Sequence, residues 1–427
     1  MKTNVLVFPA GENNSVELHE ALSHNVNIEV FGASSVDRHG PYIFKNYRSG
    51  LPFIRDDDFI EKFNALVDEW KIDLVFPTHD TVALFFARNK DNLHAKIIVA
   101  DLETAEVCRD KRKTYDLFAD CDFCPKLYHS FESFPCFVKP VDGQGGQNAY
   151  RISRKEDIPE IFDNDKNVIV EYLPGDEYTV DCISDRHGEL KAILPRKRNR
   201  MMAGICVAGY TMPADKEIIR IAEAINQRLS FLGLWYFQLK KDGYGAYKLL
   251  EVSCRCAGTM CLSRARGVNL PLLSVYAALG KDISVFENPY TVSLDRVLIA
   301  RYKTDYHYDT VYVDYDDTVV EKDDVCLPVI RFLYQCKNQK KKVVLISRHE
   351  ADHDDTLEES LNAHFISKTL FDEIIKLSFD ESKADFINGV KSIFIDNAYA
   401  ERKKVHDKLG IPVFDVEGIE VLTDWRT

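Results

Sequence analysis

Short apolar runs alternate with helically spaced ones along the whole chain, and that alternation leaves few folds open. Val5-Leu6-Val7-Phe8, residues 27–31 and residues 73–76 are too short for helices and rich in β-branched or aromatic side chains. Between the last two lies 57–71, where Phe59, Phe63, Leu66, Val67 and Trp70 recur at helical spacing. The repetition predicts an α/β fold that opens with a parallel sheet over 1–100. Gly11 and Gly32 follow strands, where tight turns favour glycine, but Gly11 belongs to no G-x-G-x-x-G run. A second block is expected over 101–300 and a third over 308–427, in line with the three or so domains that 427 residues accommodate.

Composition excludes several classes of function. A formal net charge of −13 argues against nucleic acid or an anionic membrane as the partner, since both attract basic surfaces. No apolar run reaches the roughly 18 residues of a spanning helix, and the N-terminus reads as a strand rather than a signal peptide. Eleven scattered cysteines suit a reducing cytoplasm. Cys121 and Cys124 have zinc-knuckle spacing, but no second pair follows, so buried thiols are the better reading. The lysines within 337–342 read as a solvated helix end. Oligomeric state has no signature in the chain.

In the middle block, four features stand in order. Phe137-Val138-Lys139-Pro140 ends a strand and leads into Asp142-Gly143-Gln144-Gly145-Gly146-Gln147. Such a loop brings backbone N–H groups near phosphate oxygens, and a lysine at the strand end adds charge; a hairpin turn would use the same glycines. It is not a P-loop, because no G-K-[ST] closes it. Next, the run from Val168 through Glu171-Tyr172-Leu173 to Glu177 places carboxylates around an extended segment able to meet adenine and ribose. Residues 194–200, Leu-Pro-Arg-Lys-Arg-Asn-Arg, either neutralise phosphate or a substrate carboxylate, or form a charged surface loop. Last, two strands at 234–240 and 247–252 set Gln238 and Glu251 side by side as oxygen ligands for Mg²⁺, with Arg255 after them.

The ordered set resembles the ATP-grasp superfamily, which includes carbamoyl phosphate synthetase and D-alanine–D-alanine ligase. Asp110-Lys111-Arg112-Lys113-Thr114 looks like the helix that begins its ATP-binding region, and 1–100 like the domain that precedes it. The resemblance implies ATP with Mg²⁺ or Mn²⁺, and a carboxylate activated as an acyl phosphate for attack by an amine. By it, Lys111 and Lys139 contact phosphates and Gly145 and Gly146 belong to a mobile loop over them. Glu171, Tyr172 and Leu173 line adenine and Glu177 holds ribose. Gln238 and Glu251 hold Mg²⁺, and Arg255 stabilises the phosphorylated intermediate. One departure concerns Ser253, where the family's usual residue is Asn; a hydroxyl is the weaker ligand for a second Mg²⁺. His79 and Asp80 follow a strand end facing the expected cleft, as substrate contacts or as a capping pair.

In the last block, Val311-Tyr312-Val313 ends in Asp314-Tyr315-Asp316-Asp317-Thr318. A calcium loop would need glycine at its sixth place, which is missing. A solvated acidic turn stays open on these residues alone. Three later motifs follow: a strand ending in Ser347, a helix over 383–388 opened by Lys383, and a strand ending in Asp396-Asn397. Strand ends of a parallel sheet meet at one edge, so these groups can surround one ion. The series resembles the haloacid dehalogenase superfamily of phosphatases, with a Rossmann-like fold and, from the short interval between Thr318 and Ser347, no large cap. By that resemblance Asp314 is the nucleophile and Asp316 the acid and base. Ser347 and Lys383 hold the phosphoryl oxygens, and Asp314, Asp316 and Asp396 surround Mg²⁺. Asn397 stands where the family often has a second Asp.

The expected whole is a ligase joined to a phosphatase of a phosphorylated metabolite. A nucleotide-binding regulatory module with one active domain, or a small-molecule kinase, is the alternative.

Overall fold

The computed structural model describes residues 2–143, 145–202 and 204–426; Gln144 of the glycine loop lies outside them. The chain forms two compact units, one ending at Leu298 and one spanning Ile299–Arg426.

The first unit opens with a five-stranded parallel sheet. Its strands lie in the order Asn46–Arg48, Ile28–Ala33, Thr3–Phe8, Leu74–Pro77 and Lys96–Ile97. Val5, Leu6, Val7 and Phe8 of the first strand are apolar and buried, as a strand covered on both faces requires. The Phe59–Trp70 helix buries Phe59, Phe63, Leu66 and Val67 against the sheet, at the helical spacing seen in the sequence. Strand order reverses between Thr3–Phe8 and Leu74–Pro77, so the loops after these two strands diverge and leave a crevice.

Two antiparallel sheets follow. The smaller has the order Leu127–Tyr128, Asn167–Glu171, Cys136–Pro140 and Tyr150–Ile152. The larger runs Tyr247–Ser253, Gly233–Lys241, Glu177–Ser184, Leu190–Met202, Ile205–Thr211 and Ser293–Asp295. One apolar cluster contains Leu6, Phe63 and Phe86 of the opening segment together with Val180, Trp235 and Phe237 of the larger sheet. Residues 194–200 are no loop: they lie inside the Leu190–Met202 strand, and Arg196, Lys197 and Arg198 pair with strands on both sides. Pairing puts Arg196 inside, 1% exposed, where Nη1 bonds the fully buried Asp181 and Nε donates to Thr259 Oγ1 at 2.9 Å. Two charges withdrawn from water in this way hold each other in place.

The second unit is a five-stranded sheet, parallel throughout. Its order is Glu373–Lys376, Lys342–Ser347, Thr310–Val313, Ser392–Ile395 and Val413–Phe414. Here the reversal falls between Thr310–Val313 and Ser392–Ile395, so Asp314 and Asp396 stand at the same sheet edge. A hairpin of Val320–Glu321 and Asp324–Val325 and the Leu327–Asn338 helix fill the interval before Lys342. The helix expected over 383–388 closes after Phe386. Ile387 turns extended and Asn388 N donates to Tyr312 Oη at 3.1 Å, which takes the backbone out of the helix.

All eleven cysteines are free thiols, and among the described residues Cys121 and Cys124 join no cluster of metal-binding type. Among the described residues no helix is long and apolar enough to cross a membrane.

Replacing Asp181 with Asn should strand the Arg196 charge in the core. The expected cost is about 3–5 kcal/mol, read as a lower midpoint in urea unfolding.

Candidate active sites

In the first unit, the parallel sheet's crevice and the two antiparallel sheets border a cavity of about 680 Å³. Its cations, Arg38, Lys111, Lys139, Arg196, Arg198 and Arg255, outnumber its carboxylates, Glu12, Glu177 and Glu251. In a chain of net charge −13 this concentration marks an anion site.

Each cation is held by a local device. Asp110 caps the Lys111–Leu117 helix by accepting from Arg112 N and Lys113 N. That places Lys111 Nζ 2.8 Å from Gly143 O, at the base of the glycine loop. Lys139 ends the Cys136–Pro140 strand, and its Nζ donates to Leu250 O at 3.0 Å beside the buried Tyr115, whose Oη donates to the same carbonyl at 2.8 Å. Burial, with the Lys111 ammonium close by, pushes the Lys139 amine down to about 7. Arg198 Nη1 bonds Glu177 and also donates to Gln238 Oε1 at 2.7 Å. Among the described residues, the buried atoms Arg196 Nη2, Arg198 Nε and Arg255 Nε have no hydrogen-bond partner, so these guanidinium groups hold donors in reserve.

Gln238 and Glu251 face each other in register across the Gly233–Lys241 and Tyr247–Ser253 strands. Glu251 Oε1 lies 3.5 Å from Tyr236 Oη. Both are hard oxygen donors of the kind Mg²⁺ takes. Ser253 is engaged elsewhere, donating to Asp80 Oδ1 at 2.7 Å. Arg255 Nη2 donates to Asp80 Oδ2 at 2.8 Å. Burial works to raise the Asp80 carboxyl, but Arg255 and Ser253 outweigh it and hold the group at about 2. Burial likewise opposes the charge on Arg255, and Asp80 more than restores it. His79 caps the Asp80–Arg88 helix, its Nδ1 accepting from Thr81 N at 3.2 Å, and burial lowers its pKa.

The glycine loop needs its glycines. Gly145 and Gly146 have φ of +60° and +71°. Gly204 has φ +76°, and a Cβ there would stand 1.5 Å from Gly145 O, so loop and strand turn touch backbone to backbone.

Three expected residues sit apart from this cavity's lining. Glu171 borders a second cavity of about 250 Å³ with Lys126 and Lys248, and its Oε1 accepts from Lys126 N at 2.9 Å. Tyr172 stacks under Arg151, with the guanidinium carbon 4.3 Å from the ring centre, and Leu173 is buried. Conversely, Asn14 and Thr259 line the main cavity and were not singled out in the sequence. Asn14 Nδ2 donates to Thr78 O, tying the start of the Asn13–Leu22 helix to the loop after Leu74–Pro77. Its place in the first turn of the helix after the first strand was a legible signal. Thr259 becomes significant only through Arg196.

In the second unit, Lys383 Nζ lies 2.7 Å from Asp314 Oδ1 and 2.7 Å from Asp396 Oδ2. All three side chains are buried. Burial pushes the Asp314 carboxyl up, against the pull of Lys383 and with the push of Asp396, to about 7. Asp396 is raised for the same first reason. Burial opposes the Lys383 charge, and the two aspartates more than offset it. Asp396 also accepts from Ala398 N at 2.7 Å. Two neighbouring carboxylates raised first by burial are a set that a hard divalent cation would relieve. Thr318 Oγ1 accepts from Asn397 N at 3.1 Å, locking the Asp314 loop to the Asp396 strand. Asp316 bonds a different set of groups. Its Oδ2 accepts from Ser347 Oγ at 3.2 Å and its Oδ1 lies 2.7 Å from His349 Nδ1. The structure thus brings Asp314, Lys383 and Asp396 together, with Ser347 and Asp316 as a second group.

Residues 163–304 match the family described as ATP-grasp in the biosynthetic pathway with Ter operon. Among solved structures, biotin carboxylase from Campylobacter jejuni, in complex with β,γ-ATP, aligns with TM-score 0.56 at 14% identity, covering 67% of this chain and 72% of that one. The first unit has the ATP-grasp fold. The L-amino acid ligase from Bacillus licheniformis aligns with TM-score 0.53 at 18% identity over 65% of this chain and 74% of that one. N5-carboxyaminoimidazole synthetase from Staphylococcus aureus, complexed with ADP, aligns with TM-score 0.56 at 12% identity, over 66% and 79%. No curated protein matches the chain in sequence. Within the ATP-grasp unit the cavity lies among the three sheets, bordered by the glycine loop and the Gln238–Glu251 pair.

Lys139 carries a stability cost. Its folded pKa is depressed, so the cost is full below about 7 and fades as the pH rises toward the unfolded value of about 10.4. Lys139→Met should therefore stabilise the protein by a few kcal/mol near pH 6, with the gain shrinking by pH 9 in denaturant titrations.

Proposed function

We propose that the chain is a two-site enzyme: an ADP-forming, Mg²⁺-dependent carboxylate–amine ligase joined to a haloacid dehalogenase-type phosphatase. The observation that carries the first half is the reserve of unpartnered guanidinium nitrogens and paired lysines opposite Gln238 and Glu251, in a unit of ATP-grasp fold. Bound Mg-ATP supplies the phosphoryl group that turns a substrate carboxylate into an acyl phosphate, open to attack by an amine. Lys111 and Lys139 hold the phosphates, and a charge arriving beside Lys139 restores its proton. Gly145 and Gly146 cover them and exclude water. Gln238 and Glu251 take Mg²⁺ or Mn²⁺. Glu177, and the backbone of Glu171, Tyr172 and Leu173, serve the nucleoside. Arg196 and Arg255 offer their spare donors to the carboxylate and the developing phosphate. The choice of carboxylate and amine follows the neighbours, one of which is an L-amino acid ligase.

In the second unit Asp314 attacks phosphorus and the P–O bond to the leaving group breaks. Asp316 protonates that oxygen, then takes a proton from the water that frees phosphate from Asp314. Ser347 and Lys383 hold the phosphoryl oxygens. Mg²⁺ at Asp314 and Asp396 offsets the charge. A phosphorylated metabolite is the substrate class, and a cytoplasmic location completes the proposal.

The Ser253–Asp80–Arg255 network favours one second reading. With Ser253 and one face of Arg255 already engaged, the ATP-grasp unit binds nucleotide as a regulatory module or stops at a phosphorylated product.

ADP release decides between these readings. With ATP, Mg²⁺ and a panel of amino acids and small carboxylates, ADP should form only when both an acid and an amine are present, and Glu251→Gln should lower the rate at least about a hundredfold. ADP release that needs no amine supports the kinase. Asp314→Asn should abolish p-nitrophenyl phosphate hydrolysis while ADP binding stays unchanged by calorimetry; joint loss of both overturns the two-site reading.

A further inference from the structure

The phosphatase reading uses Asp316 but leaves the groups around it unexplained. After the Lys342–Ser347 strand the chain makes a short helix, His349–Asp352, which sets His349 and His353 one turn apart. Their rings stack with centres 4.6 Å apart and 20° between planes. His349 Nδ1 lies 2.7 Å, and His353 Nε2 3.6 Å, from the same oxygen, Asp316 Oδ1. The three donor atoms all fall within 4.8 Å of one another. Tetrahedral ligands about 2.0 Å from zinc stand about 3.3 Å apart, a spacing these distances bracket.

Supporting contacts match such a site. His349 is 4% exposed, and its backbone N donates to Ser347 Oγ at 3.0 Å, while the same hydroxyl donates to Asp316. Its other ring nitrogen, Nε2, has no hydrogen bond among the described residues but lies 3.3 Å from Asp355 Oδ1. A carboxylate behind a histidine is how metal sites keep the ligating nitrogen free of its proton. Tyr315 meets the His349 ring edge-on at 5.3 Å and fixes its plane. His353 is exposed and Asp316 partly so, which gives an ion access to the three donors from solvent.

We propose that Asp316, His349 and His353 form a binding site for a zinc-class divalent ion, distinct from the oxygen-only set of Asp314 and Asp396. Imidazole donors select zinc over magnesium, whereas two carboxylates select the reverse. One consequence rests on the phosphatase reading: zinc held by Asp316 Oδ1 occupies the carboxyl that passes the proton. Zinc then silences the phosphatase and leaves its magnesium position intact.

Full-length protein stripped of metal is titrated with zinc chloride against a chromogenic zinc indicator. One ion per chain is expected to bind, and His353→Ala should weaken it at least about tenfold, with His353→Cys restoring most of the affinity. Absorption at the zinc edge should show nitrogen and oxygen ligands. Equal affinity in His353→Ala, or a sulfur-dominated edge spectrum that puts the ion on cysteines, overturns the site. Zinc should also lower p-nitrophenyl phosphate hydrolysis at least tenfold relative to the zinc-free rate in the wild type, and by far less in His353→Ala. If the phosphatase reading itself fails, the indicator and edge measurements still decide the metal site.

Discussion

A charge removed from water must be met inside the protein, and this requirement organises both units. Arg196 is buried on a central strand, and Asp181 on the neighbouring strand answers it. Arg255 and Asp80 repeat the arrangement between a strand end and a helix start. Lys383 does so with two partners, Asp314 and Asp396. In each case compensation is incomplete. Among the described residues Arg196 and Arg255 each keep a nitrogen without a hydrogen bond, and burial raises the two aspartates. Incomplete compensation is costly in an empty site and favourable once a ligand of opposite charge arrives. Lys139, driven down to about 7 by burial, belongs to the same class.

Topology decides where such groups can gather. In each unit the parallel sheet reverses its strand order once, and loops on either side of that point separate. Asn14 and Thr78 occupy the gap in the first unit, and Asp314 and Asp396 in the second. Antiparallel sheets supply the rest of the first site, because alternation along Leu190–Met202 sends Arg196 and Arg198 to one face and Lys197 to the other. The same alternation, with the register of Gly233–Lys241 and Tyr247–Ser253, brings Gln238 opposite Glu251.

Donor chemistry separates two kinds of position within the second unit. Asp314 and Asp396 present only oxygen and share a lysine. Asp316 faces two imidazoles and a serine hydroxyl. Two residues apart, Asp314 bonds Lys383 while Asp316 bonds Ser347 and His349, so one motif serves two environments.

Much of this was legible in the residues alone. Apolar periodicity predicted the strands Thr3–Phe8, Cys136–Pro140 and Tyr247–Ser253 nearly to their bounds, because strand and helix periods are local properties. Motif order pointed to the ATP-grasp fold, and the pairing of Gln238 with Glu251 followed from two strands and a tight turn. Other matters depended on partners distant in sequence. Whether 194–200 was loop or strand turned on pairing with Glu177–Ser184 and Ile205–Thr211, and the partners that bury Arg196, Asp181 and Thr259, lie 15 and 63 residues from it. Ser253 was read as a weakened metal ligand, but Asp80, 173 residues away, takes its hydroxyl. Glu171 faces a different cavity from the one expected, since only the packing of two sheets determines which side of an extended segment meets the cleft. The sequence determined which charges the protein carries and on which elements; the tertiary structure alone decided which are paired and which stay in reserve, because desolvation and pairing arise only when distant strands close around them.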